Sequence, residues 1–159
     1  MTFATYPTHI KNSVSIEKTK IKNKILLVDD SEIIRIYFRD IFWIHGLERK
    51  YDLTICRSIY QAENLIKDPK TRPRVVFTGL VMPIVEKNNT VVKVESGLSL
   101  LKMIKSDPEL KNIIVVIFSG YDKKEYRDQA TKEGADYFLL KHENMPLELV
   151  QFIENLKIG

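Results

Sequence analysis

The chain has 159 residues, of which 44% are hydrophobic and 29% charged, enough for one globular domain with one core. No run approaches the ~18 apolar residues that span a bilayer, and the first twenty residues lack the basic-then-apolar order of a secretory signal, so no membrane role is expected. The formal charge of +4 resides in a tail: Lys11, Lys18, Lys20, Lys22 and Lys24 stand against Glu17 alone, leaving the remainder neutral. A basic tail on a neutral body does not make a nucleic-acid surface, which needs a basic face on the folded part. Residues 1–23 therefore read as a solvated, flexible extension, and its lysines, spread without interleaved aromatics, make a poor tether to nucleic acid or membrane. The one cysteine, Cys56, can form no internal disulfide and has no metal-ligand spacing around it, so a reducing cytoplasm is the expected location.

From residue 24 onward short apolar runs alternate with segments of helical period. Ile25-Leu26-Leu27-Val28 is a continuous aliphatic run, as expected of a parallel strand covered on both faces, and it ends in Asp29-Asp30. Ile33, Ile34, Tyr37, Ile41 and Ile44 recur at spacings of three and four, which predicts a helix over residues 31–45 stopped by Gly46. A second strand follows at residues 53–56 and a second helix at 58–67, ending before Asp68-Pro69. Residues 75–78 are a third strand, and Leu98, Leu101 and Ile104 mark a third helix over 97–104. Residues 113–118 form the most hydrophobic strand, 122–133 a polar helix closed by Gly134, 137–140 a fifth strand. Pro146 opens a final helix with Leu149, Val150, Ile153 and Leu156 inward. Five strand–helix units with short links predict a flavodoxin-like α/β fold, a (βα)5 three-layer sandwich with a five-stranded parallel sheet and helices on both faces.

In such sheets chemistry collects at the carboxyl ends of the strands. Those ends carry Asp29 and Asp30, Gly79, Ser119 and Lys141. Two adjacent carboxylates at a buried strand end repel each other unless a cation or a helix N-terminus offsets them; a hard cation such as magnesium would do so. The plainer reading makes Asp30 or Ser31 the cap of the next helix. A hydroxyl at 119 and an ammonium at 141 favour the first reading, since with a metal they form a set able to hold a phosphoryl group.

With these residues in view, the sequence resembles the receiver domains of two-component response regulators over about residues 24–158. The resemblance is carried by Ile25-Leu26-Leu27-Val28-Asp29-Asp30-Ser31, by the stretch from Val75 through Pro83, by Ile117-Phe118-Ser119-Gly120 and by Phe138-Leu139-Leu140-Lys141. It implies that Asp29 and Asp30 bind Mg2+, that Ser119 and Lys141 contact a phosphoryl group, and that Phe138 is the aromatic switch. It further implies a sensor histidine kinase or another signalling protein as partner. The fourth helix, fifth strand and fifth helix would form the face for docking or homodimerisation. In the family the phosphoryl acceptor is an aspartate four residues before the proline of Asp-Leu-x-Met-Pro; here the stretch reads Gly79-Leu80-Val81-Met82-Pro83. Glycine can neither accept a phosphoryl group nor ligate a metal through a side chain.

Four bypasses are weak: Thr78 should point to the opposite face, Asp29 or Asp30 would sacrifice a metal ligand, and Glu86 would have to swing in from a loop. The expectation is thus a receiver lacking its acceptor, not an enzyme, with Mg2+ binding weakened, acting through protein contacts without nucleic acid or membrane. The glycine is either natural divergence or a phosphorylation-disabling substitution. A magnesium-dependent phosphotransferase or hydrolase on the same sheet is the alternative, disfavoured because Ser31 stands where a second aspartate would be wanted.

Two further departures concern loops. His142 follows the lysine where receivers commonly place a proline, so the next loop should take a different path. Residues 84–96 are longer than the usual link; with Asn88-Asn89 between valines they form either a β-hairpin over the pocket mouth or a loop, with the hairpin favoured because Val91 and Val92 would otherwise be exposed. The domain proper is expected over residues 24–159, without an attached output domain in this sequence.

Overall fold

The computed structural model describes residues 20–85, 88–89, 91–94, 96–144 and 146–159. Most of the basic extension, together with Glu86, lies outside the described residues. The chain alternates strictly through β1 (Asn23–Val28), α1 (Glu32–Ile44), a 3-10 turn at Leu47–Arg49, β2 (Tyr51–Cys56), α2 (Ile59–Lys67) and β3 (Val75–Thr78). An inserted hairpin, β4 (Met82–Val85) and β5 (Val91–Val94), precedes α3 (Ser96–Ser106), β6 (Ile114–Ser119), α4 (Lys124–Lys132), β7 (Tyr137–Leu140) and α5 (Pro146–Asn155).

The five main strands are parallel in the order β2-β1-β3-β6-β7. The chain moves from β1 outward to β2 and then returns to the other side of β1 to lay down β3. The carboxyl ends of β1 and β3 therefore flank the point where strand order reverses, the place where such sheets open a crevice. Successive residues of β1 feed different layers: Ile25 and Leu27 join Phe38, Phe77, Phe118 and Leu149 on one face, and Leu26 and Val28 join Val76, Leu101, Ile117 and Ala130 on the other. Phe38 anchors the first layer, with its ring edge-on to Phe77 at 5.0 Å and to Phe118 at 6.1 Å. Each such buried side chain stabilises the fold by roughly 1.5–3 kcal/mol, which is why a chain with only short strands closes both faces.

β1 and β2 each begin two residues before their apolar runs, because Asn23 pairs with Tyr51 and Lys24 with Asp52 in register. Backbone pairing continues where hydrophobicity has already stopped. α4 starts later than its polar pattern suggests, with Lys123 at the cap position making no side-chain cap bond. The 84–96 stretch resolves in favour of the hairpin: Met82 pairs with Val94 and Val85 with Val91, and Asn89 in the turn takes φ 60°, a conformation asparagine tolerates better than most residues. After β7 the chain curls onto one carbonyl. The N–H groups of Glu143 and Asn144 (both 3.2 Å) and the Asn144 side-chain amide (2.8 Å) all donate to Leu140 O, so the loop closes without a proline.

Candidate functional site

Asp29 leaves β1 fully buried, the one buried carboxylate among the described residues. Its position follows from the sheet: Asp29 N–H still donates to Cys56 O of β2 at 3.1 Å, so the ladder carries the acid into the crevice before the chain turns away. Oδ1 accepts from Ser31 N–H at 2.9 Å, and Ser31 Oγ in turn accepts from Ile34 N–H as the cap of α1. The capping reading and the buried-acid reading are thus both realised, by different residues. Oδ2 faces Lys141 Nζ at 2.7 Å in an ion pair whose angles fall outside hydrogen-bond geometry. Lys141 is 22% exposed, so the pair is only partly open to water and each partner depends on the other for charge balance. Asp30, by contrast, is exposed.

Gly79 follows β3, with its N–H donating to Val28 O at 3.2 Å. A Cβ built there would lie 3.5 Å from Met82 Cγ and 4.0 Å from Asp29 Oδ2, ordinary contact distances. Behind it sits a second glycine. A Cβ on Gly97 would fall 1.9 Å from Gly79 O, and Gly97 N–H donates to Leu80 O at 3.1 Å. Thr78 is also committed, its buried hydroxyl donating to Gly79 O at 3.0 Å.

Ser119 ends β6 nearly fully buried, and its Oγ accepts from Tyr121 N–H (3.0 Å) and donates to Tyr121 O (3.3 Å), a local turn. Its carbonyl accepts from Lys141 N–H at 2.8 Å, which fixes the lysine backbone beside the serine. Lys141 Nζ also lies 5.9 Å from the Phe118 ring centroid. Phe138, two strand positions before Leu140, is half-buried under the Arg127 guanidinium at 4.9 Å. The strand ends therefore bring Asp29, Gly79, Ser119 and Lys141 into one connected set, leave Asp30 at its solvent rim, and place Phe138 along β7.

Comparison with known proteins agrees with this arrangement. The family model of the response regulator receiver domain matches residues 25–154. The chain belongs to this family. The polar-differentiation response regulator DivK of Brucella anthropi is 25% identical over 133 residues, covering 84% of this chain and 92% of that one, and its Brucella ovis counterpart matches to the same extent. Among solved structures, the Mn2+-bound response regulator Rcp1 superposes with a TM-score of 0.65 at 21% identity, covering 86% of this chain and 99% of that one. The chemotaxis protein CheY4 of Vibrio cholerae superposes equally well at 20% identity, covering 86% and 100%. Receiver domains work in two-component signalling, where they interact with histidine kinases and other signalling proteins and bind Mg2+ at the acceptor site.

The acidic residues nearest this site are Asp29 and Asp30. Among the described residues no three His, Cys, Asp or Glu side chains cluster to hold a metal. Asp29 already shares its charge with Lys141, Asp30 is exposed and Gly79 contributes no carboxylate. Mg2+ keeps several waters and is often held by one or two carboxylates, so Asp29 and Asp30 are the residues that would hold it.

Two participants escape sequence reasoning. Arg35 Nη1 donates to both Asp29 O (3.0 Å) and Asp30 O (2.9 Å), tying the first turn of α1 to the strand end. Its signal would have been a charged residue on the inward side of an amphipathic helix. Gly97 looks like an ordinary helix start until the close approach is seen. Cys56, at the end of β2, has its thiol pushed up to about 11 by burial, so it stays protonated at neutral pH and is no nucleophile.

Proposed function

We propose that this receiver signals without being phosphorylated at the end of β3, acting instead through protein contacts of a folded body spanning residues 24–159. The observation that carries the reading is Gly79: it stands where the family places the acceptor aspartate, beside Asp29 Oδ2, and has no group to accept a phosphoryl. The nearby hydroxyls offer no substitute, since Thr78 and Ser119 already donate to backbone carbonyls. Asp29 and Asp30 retain a weakened Mg2+ site, Ser119 and Lys141 are the remains of a phosphoryl pocket, and Phe138 occupies the switch position. A histidine kinase or another signalling protein is the partner, with neither nucleic acid nor membrane required. The face formed by α4, β7 and α5, with Tyr137 and Leu147 exposed, is the candidate surface for docking or homodimerisation.

Incubation with a small phosphodonor and Mg2+, read by intact mass, tests this. The wild-type chain is expected to gain no acid-labile phosphoryl group, whereas Gly79→Asp should gain one. A wild-type adduct mapped to Asp29, Asp30 or any other side chain of the crevice would overturn the reading.

A further inference from the structure

Among the described residues the sheet ends on one side at β2, which pairs with β1 alone. Asp29 N–H donates to Cys56 O, so by strand alternation the peptide groups of Asp52, Thr54 and Cys56 turn toward β1. Those of Tyr51, Leu53 and Ile55 turn outward, to the open edge. Along that edge runs a groove of about 760 Å3, with Phe42 and Trp43 of α1 as its wall and Tyr51, Leu53 and Ile55 as its floor. Leu53 and Ile55 are only half-buried and Trp43 is 77% exposed, so α1 covers the floor incompletely. A six-residue edge with an apolar flank invites another strand, and natural proteins usually cover or charge such edges.

The edge is complementary to itself when reversed about Thr54. That register sets Leu53 opposite the second copy's Ile55 on the groove face and Thr54 opposite Thr54 on the other. Asp52 then faces Cys56 rather than another charge, and the outward peptide groups of the two strands meet, as antiparallel pairing requires. One step further out, Tyr51 faces the second copy's Arg57, an exposed residue with no ion pair among the described residues. Beside Tyr51, Glu48 lines the groove; its carboxylate has only Arg49 at 3.9 Å, and its enclosed Oε2 accepts no hydrogen bond. Arg57 of one copy and Glu48 of the other are thus complementary, twice over by symmetry. Reversal about Leu53 would instead set Arg57 opposite Arg49. Helix α1 agrees with the same axis. The Phe42 and Tyr51 rings lie 6.5 Å apart, which puts them at one level. Thr54 stands about 10 Å above Tyr51, roughly six or seven helical residues, so the axis crosses α1 near residues 35–36. About that point Glu32 is level with the second copy's Arg39, again opposite charges.

We propose that β2 pairs antiparallel with β2 of a second copy about a twofold axis through Thr54, joining the two sheets into one beneath two antiparallel α1 helices. Phe42 and Trp43 of each copy then stand over a floor built from Leu53 and Ile55 of both, and the groove closes. The spacings agree. Each α1 packs over β1 and β2, so a strand separation of about 4.8 Å at the axis leaves the two helix axes about 10 Å apart, near ordinary helix packing distance. Main-chain hydrogen bonds supply the attachment, while the apolar pairs and the Arg57 and Glu48 charges fix the register. The interface uses one surface on both copies, so it closes at two and leaves no β2 edge open. It does not depend on Gly79, and it leaves the face of α4, β7 and α5 to a partner protein.

The test uses the full chain. Sedimentation at sub-millimolar concentration should give twice the mass of one chain. On dilution to monomer the outward amides of Leu53 and Ile55 should exchange roughly tenfold faster or more, while that of Thr54, turned toward β1, stays protected. Arg57→Glu and Glu48→Arg, each with unchanged far-UV circular dichroism, should each weaken the dimer roughly tenfold or more, and the two together should restore it. Tyr137→Asp with Leu147→Asp, on the face of α4, β7 and α5, should leave it intact. A chain that stays monomeric throughout that range would overturn the proposal. So would a dimer indifferent to Arg57→Glu, a folded double variant that remains monomeric, or a dimer lost with the Tyr137 and Leu147 changes. Leu53 and Ile55 amides already protected in the monomer would also overturn it, assigning the edge to the chain's own residues.

Discussion

Gly79 and Gly97 touch each other, yet they are glycines for opposite reasons. At Gly79 a Cβ would meet Met82 at 3.5 Å and Asp29 Oδ2 at 4.0 Å, so the backbone there accepts a side chain and merely lacks one. At Gly97 a Cβ would overlap Gly79 O at 1.9 Å, so α3 can pack this closely against the end of β3 only without one. The first position has room for a side chain and the second has none. A sequence writes both with the same letter, and only the neighbouring atoms tell them apart.

The sharpest way to break this distinction is Gly97→Ala. Alanine would ordinarily favour a helix by about 1 kcal/mol, but here the obstacle is backbone that cannot rotate aside, and the net expectation is a loss of about 3 kcal/mol in denaturant unfolding. A neutral or stabilising result would show that the strand end yields, and the distinction would fail. Gly79→Asp comes next. Its carboxylate would enter beside Asp29, costing on the order of 1–2 kcal/mol at neutral pH without divalent ions, a loss that millimolar Mg2+ should recover. Equal stability with and without Mg2+ would mean that the remaining acids do not cooperate in binding. The smallest effect belongs to Gly79→Ala, which should stabilise by about 0.4–1 kcal/mol through the unfolded state, since φ at this position lies outside the left-handed region. Destabilisation there would mean that Met82 cannot accommodate even a methyl group.

Much of the molecule is legible in the sequence because period and strand-end chemistry agree. The apolar runs at 25–28, 75–78 and 113–118 mark the central strands, and the acid at 29 after β1, the hydroxyl at 119 closing β6 and the ammonium at 141 after β7 mark strand ends before any fold is known. What escapes depends on distance rather than pattern. Strand β2 extends back to Tyr51 because β1 lies beside it, not because of its own hydrophobicity. Arg35 reaches the carbonyls of Asp29 and Asp30 through the turn that Ser31 caps, a geometry no spacing rule anticipates. Asp29 and Asp30 are adjacent and chemically identical in sequence, but the chain turn buries one and leaves the other in water. The hairpin at 82–94 was ambiguous for a similar reason, since valines around Asn88-Asn89 suit either a strand pair or a loop until the pairing itself is seen.

The ion pair between Asp29 and Lys141 joins β1 to β7, strands with β3 and β6 between them. It spans the carboxyl edge of the sheet much as a string spans a bow. A cation that competed for Asp29 would slacken that string, and so would a protein that drew β7 outward. Because both act on one bond, thermodynamic reciprocity requires that whatever factor the cation imposes on the affinity for such a protein, the protein imposes on the affinity for the cation. Such coupling through the carboxyl edge would need no covalent mark.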